Sequence, residues 1–342
     1  MEAAYPNIKL RICSRCILPE TFPGITFDKG GVCNYCRRDE QIVEKVPEKR
    51  KEYRKRLDEL IREVKNTAPV YDAIMAYSGG KDSSYTLKLL REHYDLRVIA
   101  LTFDNHFLSP TTLENIKKVT DKLEVDHIIF KPPWPVLNRL FVHTANEDIF
   151  PRPTLLRASA ICTACIGLVK SMVLKTALEM GIPLIAFGWS PGQAPVQSAI
   201  MKTNPALVQQ NQDVLIKAFP PEIKWSLKQY FIPEVYYRGD KERFPYNIHP
   251  LAFFEYDEGK ILHELETLGW EAPRDTDTNS TNCLLNAFAN QVHIQRHKFH
   301  PYVLEIANMV RQGVMARQEG IEKIYTEQNQ EMVEFAKAKL GL

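Results

Sequence analysis

The sequence predicts an α/β protein built on a doubly wound parallel sheet, and three observations predict it. Between residues 70 and 188, short segments that are apolar along their whole length alternate with stretches of helical spacing. Strands of that kind belong to a sheet covered by helices on both faces. A serine- and glycine-rich turn, Ser78-Gly79-Gly80-Lys81-Asp82-Ser83-Ser84, joins the first apolar segment to the first helical one. The chain has 342 residues, 44% hydrophobic and 25% charged, enough for about two domains with an ordinary core.

Residues 1–40 read as a loop-rich knuckle, with turn signals at Pro23-Gly24 and Gly30-Gly31 and the pairs Cys13/Cys16 and Cys33/Cys36. Residues 48–66 have helical spacing at Tyr53, Leu57, Leu60, Ile61 and Val64. Their charged side (Lys49, Arg50, Lys51, Arg54, Lys55, Arg56) reads as a solvated face, the other reading being contact with the phosphates of a larger substrate. Then come a strand at 70–77, a helix at 83–94, a strand at 97–104, a helix near 111–122 and a strand at 127–131. A helix from about 165 to 180 leads into a last strand at 182–188. Ligands are expected at the carboxyl ends of these strands. Residues 189–260, rich in proline and aromatics, are expected to form irregular helices around a site mouth, and 286–338 a final helical region. The divisions are 1–45 (metal knuckle), 46–68 (linker helix), 69–205 (sheet domain) and 206–342 (helical, substrate-facing region). Neither an internal repeat nor a low-complexity tract is visible.

Formal net charge is only +2, which leaves nucleic acid open as a partner without arguing for it. No window approaches about 18 uninterrupted apolar residues, and the opening residues lack the basic-then-apolar order of a secretory leader. A cytoplasmic protein without membrane contact is the expectation.

The turn at residues 78–84 has the chemistry of a phosphate cradle. Glycines let backbone approach phosphate oxygens closely, and helix-start N–H groups favour an anion. Ser78, Ser83 and Ser84 offer hydroxyls, Lys81 a positive charge, and Asp82 a carboxylate for Mg²⁺. A glycine-serine turn with an incidental lysine is the bland alternative. The pattern differs from the GxxxxGK[ST] loop.

Residues 78–83 match in full the SGGxDS signature of the PP-loop ATP pyrophosphatase (adenine nucleotide alpha hydrolase) superfamily, which the chain resembles over roughly residues 70–190. The resemblance implies ATP cleavage between the α- and β-phosphates, transfer of AMP to a substrate oxygen and release of pyrophosphate. A nitrogen or sulfur nucleophile would then displace AMP. It casts Lys81 and Asp82 as catalytic, and places Leu101, Thr102, Phe103 and Asp104 along the adenine pocket, with Gly188 among the nucleotide-binding residues.

Cys13-x2-Cys16 and Cys33-x2-Cys36, sixteen residues apart, suit a closed tetrahedral thiolate site for structural Zn²⁺. Such a knuckle before a PP-loop core occurs both in tRNA thiolases and in proteins described as N-acetyl sugar amidotransferases. Cys162-Thr163-Ala164-Cys165, placed just before a helix, and the distant Cys283 look like the three thiolates that hold a [4Fe-4S] cluster in iron–sulfur-dependent PP-loop thiolases. There an open iron presents sulfide as nucleophile. A persulfide-carrying redox pair, zinc ligation and plain buried cysteines are the other readings. The chain departs from the thiolases where they tend to carry a GHxxDD-like stretch. Here Gly188-Trp189-Ser190-Pro191-Gly192-Gln193 stands instead, and a second pair of knuckles near the C terminus is missing from the sequence.

Beyond the motifs, His249 reads as structural, while His293, His297 and His300 read as a solvated helical face. Asp275 and Asp277 are turn formers or Mg²⁺ ligands. Arg152, Arg157 and Lys202 are candidate contacts around the mouth. The resulting expectation is an ATP-dependent sulfurtransferase acting on a nucleobase or small-molecule acceptor, with sulfide or a desulfurase as donor and tRNA as one conceivable substrate. The alternative is an N-acetyl sugar amidotransferase of surface polysaccharide synthesis, fed ammonia by a partner glutaminase. A non-catalytic nucleotide-binding module is the third reading, and a homodimer is conceivable.

Overall fold

In the computed structural model, which describes residues 2–5, 8–193, 195–276 and 280–342, the knuckle opens with the antiparallel hairpin β1 (Glu2–Tyr5) and β2 (Ile8–Arg11). The helices α1 (Asn34–Glu44) and α2 (Val46–Val64) then lead to the sheet. From there the order is β3 (Ala73–Ala76), α3 (Lys81–Lys88), β4 (Val98–Phe103), α4 (Pro110–Lys122), β5 (Asp126–Phe130) and α5 (Trp134–Asn146). The short α6 (Arg152–Leu155), the long α7 (Ala160–Met180), β6 (Leu184–Phe187) and β7 (Ile200–Lys202) follow. The remainder comprises α8 (Pro205–Ala218), α9 (Pro221–Leu227), α10 (Glu234–Arg238), β8 (Tyr246–Ile248), α11 (Glu258–Glu266), α12 (Asn286–His297), α13 (Val303–Arg311), α14 (Arg317–Tyr325) and α15 (Gln330–Leu340).

The main sheet has the order β5-β4-β3-β6-β8-β7, parallel except for β7. From β3 the chain winds outward through β4 and β5, then returns to place β6 on the other side of β3. That reversal opens a crevice at the carboxyl ends of β3 and β6, where doubly wound sheets bind ligands. Every residue of β4 and β6 is buried, as expected of inner parallel strands. β5 departs from that expectation: as an edge strand it leaves Ile129 54% exposed.

Local chemistry sets the helix ends that frame the crevice. Ser109 caps α4 by accepting from Thr112 N at 3.0 Å, with Pro110 supplying a preset first turn. Ser159 caps α7, accepting from Cys162 N at 3.1 Å, and Gly181 ends it in the left-handed region at φ 67°. α7 begins at Ala160, so Cys162 and Cys165 stand in its first turns rather than ahead of it. It is long and apolar enough to cross a membrane by composition, yet it packs against β3, β6, α5 and α12 as the central helix of the fold.

Three further points differ from the sequence expectation. β7 and β8, both inside the stretch read as irregular, extend the sheet. His293 and His300 are 2% and 0% exposed, not solvated: α12, which carries His293, is covered by α7 and α15 with the His293 ring on Phe299, and His300 lies past that helix with its Nδ1 accepting from Tyr302 N. On α2, Arg54 lies over the Phe254 ring at 3.6 Å and Arg50 donates to Gln312 Oε1 at 2.9 Å, so two members of the charged face are tucked against the protein.

The knuckle is docked rather than free. Leu10, Ile12, Ile17 and Phe22 share a core with Phe299, Ile306, Met309 and Ile324 of the C-terminal helices. Arg317 donates to the carbonyls of Cys13 and Cys16 at 2.7 and 2.8 Å, and Tyr325 donates its hydroxyl proton to Ile17 O at 2.6 Å.

Candidate active site

The turn at residues 78–84, the candidate phosphate loop, leaves β3 at the crevice. Gly79 adopts φ 75°, and a Cβ there would lie 2.5 Å from Ile116 Cγ1, so both conformation and space demand glycine. Gly80 is the N-cap of α3, and Lys81–Ser83 form its first turn. Ser78 and Ser83 hydroxyls lie 3.0 Å apart, with Ser83 Oγ also donating to Gly80 O. Ser84 is turned inward, fully buried and 3.1 Å from the Tyr77 hydroxyl. Lys81 is 8% exposed, its Nζ 2.9 Å from Glu258 and 3.7 Å from Asp82. Tyr256 donates to Asp82 Oδ1 at 2.9 Å. Burial raises the Asp82 carboxyl above its ordinary value. Tyr256 and Glu258 belong to no motif, and sequence reading passes over them.

Gly188 stands where β6 ends against the start of α3. A Cβ on it would be 2.5 Å from Ser83 Cα and 2.6 Å from Ser83 N. Backbone cannot yield to that contact as a flexible side chain would, so Gly188→Ala is expected to push the loop off the helix start. Titration calorimetry with a non-hydrolysable ATP analogue should show at least a tenfold loss of affinity with an unchanged circular dichroism spectrum. Undiminished binding would mean that the loop tolerates displacement.

Of the strand-end residues assigned to adenine, Thr102 is fully buried and bonds Tyr77 O and His127 Nε2, both at 2.8 Å. Phe103 closes the end of β4 at 7% exposure. Asp104 is held by Lys131 at 2.8 Å and accepts from His106 N.

A short segment, Ser280–Cys283, joins this loop to the thiols. Thr281 Oγ1 accepts from Lys81 N at 3.1 Å, and a Cβ on Gly80 would meet that oxygen at 2.8 Å. Two residues on, Cys283 pairs through a backbone bridge with Leu108. Its sulfur accepts from Asn105 Nδ2 at 3.5 Å, and Cys165 Sγ lies 3.7 Å from the same nitrogen. Asn105 is itself fixed, 6% exposed, by accepting from Phe107 N. It lies two residues past β4, and sequence reading had passed over it. Cys162 is beside Tyr302 and Asn286, which bond each other at 2.7 Å. Burial is the main force raising all three thiols, Cys162 to about 11. Unaided, they stay protonated and weakly nucleophilic at neutral pH.

The N-terminal quartet has a different geometry. Cys13 Sγ–Cys36 Sγ is 3.9 Å and Cys16 Sγ–Cys33 Sγ 3.7 Å, all four buried. A tetrahedron with metal–sulfur bonds of ~2.3 Å has edges of ~3.8 Å, so the sulfurs stand as a single metal ion needs them. Backbone N–H groups of Arg15, Cys16 and Cys33 point at Cys13 Sγ at 3.3–3.4 Å, which compensates thiolate charge. Among the described residues, this quartet is the group of metal-binding side chains whose ligand atoms all fall within 4.8 Å of one another. The Cys162/Cys165/Cys283 trio is more open.

The remaining candidates scatter. His249 is wedged between Trp189, ring centroids 4.2 Å apart, and Phe187, where it props the chain leaving β6. Arg157 donates to Gln193 O at 2.9 Å, while Arg152 is exposed on α6. Lys202 sits on the outer edge strand β7, donating to Glu242 O, and so is not at the crevice. Asp275 lies in the loop after Trp270, and Asp277 lies outside the described residues. Trp270 itself, 2% exposed, donates to Gly79 O at 2.9 Å.

No family model matches the chain. It is 24% identical over 313 residues to an uncharacterized protein of Methanocaldococcus jannaschii, covering 91% of this chain and 92% of that one. Among solved structures it is similar to the U34-tRNA thiolase NcsA of Methanococcus maripaludis with its [4Fe-4S] cluster. That match has 14% identity and a TM-score of 0.36, over 97% of this chain and 98% of the other. It is also similar to the NH3-dependent NAD synthetase of Campylobacter jejuni, at 10% identity and TM-score 0.31, over 53% and 93% of the two chains. A third is a predicted subunit of tRNA methyltransferase from M. jannaschii, at 14% identity and TM-score 0.30, over 57% and 74%.

Proposed function

We propose that this chain is a PP-loop ATP-dependent sulfurtransferase: it adenylates a carbonyl oxygen of a nucleobase or small-molecule acceptor and replaces that oxygen by sulfur. One observation carries the reading. Cys165 and Cys283, far apart in sequence, converge on Asn105, and the segment bearing Cys283 also touches the backbone of the phosphate loop through Thr281. A nucleotide on the loop and sulfur chemistry at the thiols would therefore face one acceptor.

The residues divide the work. Loop N–H groups and the hydroxyls of Ser78 and Ser83 bind phosphates, Lys81 neutralises the departing pyrophosphate, and Asp82 holds Mg²⁺. Lys81 is already oriented by Glu258, and Asp82 by Tyr256, so neither side chain needs to reorganise. Three buried thiols raised by desolvation are poor free nucleophiles, while ligation would draw off their protons. Three thiolates fall one short of a closed zinc site, whereas a [4Fe-4S] cluster held by three leaves one iron open. Cys162, Cys165 and Cys283 would hold a [4Fe-4S] cluster, whose service is to present sulfide to the adenylated carbon. Cys13, Cys16, Cys33 and Cys36 would hold structural Zn²⁺. Gly188–Gln193 carries neither the histidine nor the acidic pair of the thiolases, which favours an acceptor smaller than tRNA.

Anaerobic purification with iron, sulfide and zinc quantification tests the reading, alongside AMP and pyrophosphate formation from ATP. About four irons and one zinc per chain are expected. Zinc without iron, even after reconstitution, would overturn sulfur transfer and leave nitrogen as the nucleophile. Failure to form AMP would overturn adenylation itself.

A further inference from the structure

Glu305 is a carboxylate that neither the phosphate loop nor the thiol set accounts for. It lies in the first turn of α13, and its Oε1 accepts from the Ser190 hydroxyl at 2.5 Å. Ser190 is 6% exposed and its own N–H is tied to Gln193 Oε1. The chain leaving β6 is pressed onto this helix start: a Cβ on Gly192 would lie 2.3 Å from Glu305 O, and Asn308 donates to Gly192 O at 2.9 Å. Among the described residues, no lysine or arginine comes within ion-pair distance of Glu305. A half-buried carboxylate that accepts from Ser190 still has lone-pair sites to offer a bound group.

Its position explains it. The segment that Ser190 belongs to starts at Gly188, in van der Waals contact with the first turn of α3. Asp82 and Lys81 of that turn lie within electrostatic range of Glu305, as do Tyr256 ahead of α11 and Tyr302 one turn back on α13. Tyr302 is in turn beside Cys162. Glu305 thus stands beside the Gly188–Gln193 stretch, which packs on the first turn of α3 at Gly188 and has no acidic residue of its own.

We propose that Glu305 is the proton acceptor for the group that attacks ATP. As the acceptor oxygen bonds to the α-phosphorus, the bond to the bridging β-phosphate oxygen breaks and pyrophosphate leaves with that electron pair. The proton released by the acceptor, from the N–H of a lactam or amide or from water in the uncoupled reaction, passes to the Glu305 carboxylate. No oxidant or reductant enters. Burial, with the nearby Asp82 charge, lifts this carboxyl to about 7, while the Ser190 and Gln193 hydrogen bonds and Lys81 pull it down. A base in that range is matched to neutral pH. The inference rests on the adenylation reading above.

The test is AMP release from ATP and Mg²⁺ with water as the acceptor, using the anaerobically prepared full chain across pH 5–9. Glu305→Gln should lower kcat about 100-fold, leave KM for ATP within about twofold, and abolish the acidic limb near pH 7. Glu305→Asp should restore part of kcat together with the limb. Ser190→Ala removes a bond that stabilises the carboxylate, so its limb should move to higher pH; a merely structural role would not move it. Unchanged kcat and pH profile in Glu305→Gln would overturn the proposal while leaving adenylation intact. So would a loss confined to binding of a non-hydrolysable ATP analogue, measured by calorimetry. A wild-type protein that releases no AMP would overturn the adenylation reading and this inference with it.

Discussion

Alanine at both Cys162 and Cys165 is expected to empty the protein of iron and sulfide, from about four irons per chain to none, while zinc stays at about one. Two of three thiolates vanish, and the single remaining ligand, Cys283, cannot retain a cluster. The fold should survive. Ser159 still caps α7, through a backbone N–H that alanine at 162 retains, and each change removes only a sulfur atom. AMP formation should persist, because the phosphate loop meets the Cys283 segment through Thr281, not through the cysteines themselves. Sulfur transfer should fall to background. Cys283→Ala alone should have the same effect on iron, and Asn105→Leu a lesser one. Asn105 bonds two of the sulfurs and the Phe107 N–H at once, so its loss frees Cys165 and Cys283 without deleting either. Iron retained by the double variant would place the cluster elsewhere and dissolve the link between thiols and phosphate loop.

Stripping the metal from the quartet, or replacing Cys16 by serine, should lower the melting temperature by about 10 °C. Structural zinc contributes ~10–16 kcal/mol of apparent binding free energy in isolated fingers. Even about a third of that, at ~2–4 °C per kcal/mol for domains of ordinary size, gives this shift. Differential scanning fluorimetry of metal-loaded and chelated protein measures it directly. The damage should also reach the active site. Ile306 and Met309, which the knuckle covers, lie on the same helix as Glu305 and Asn308. Loosening the knuckle should therefore reduce AMP formation before global unfolding, with recovery on adding zinc. A chelated protein with undiminished melting temperature would mean that the four thiols need no metal to pack.

Much of this architecture was legible in the sequence for a local reason. The strands at 70–77, 97–104 and 182–188 declare themselves because inner parallel strands are apolar on both faces. The glycine-serine turn declares itself because Gly79, at φ 75° and packed on Ile116, has neither the conformation nor the space for a side chain. CxxC spacing announces the quartet, since two thiolates from one turn already span an edge of a tetrahedron. Where the reading erred, the deciding partner lay far away. β8 has three residues and no periodicity of its own, and it is a strand because β6 lies alongside. His293 looks solvated on a helical wheel, but α7 and α15 close over its helix, and His300 falls beyond the helix into a buried turn. Lys202 lies within the stretch read as the site mouth yet belongs to the far edge strand.

The sequence by itself thus determined the doubly wound class, the glycine-serine turn into α3 and the four-cysteine knuckle, each announced by patterns local in the chain. Only the tertiary structure decided that Asn105 gathers Cys165 and Cys283, that Tyr256 and Glu258 orient Asp82 and Lys81, and that Glu305 reaches the loop after β6. Those contacts join segments some 60 to 180 residues apart. No local pattern encodes them, because a side chain's partner across the core is set by sheet order and helix packing rather than by spacing along the chain.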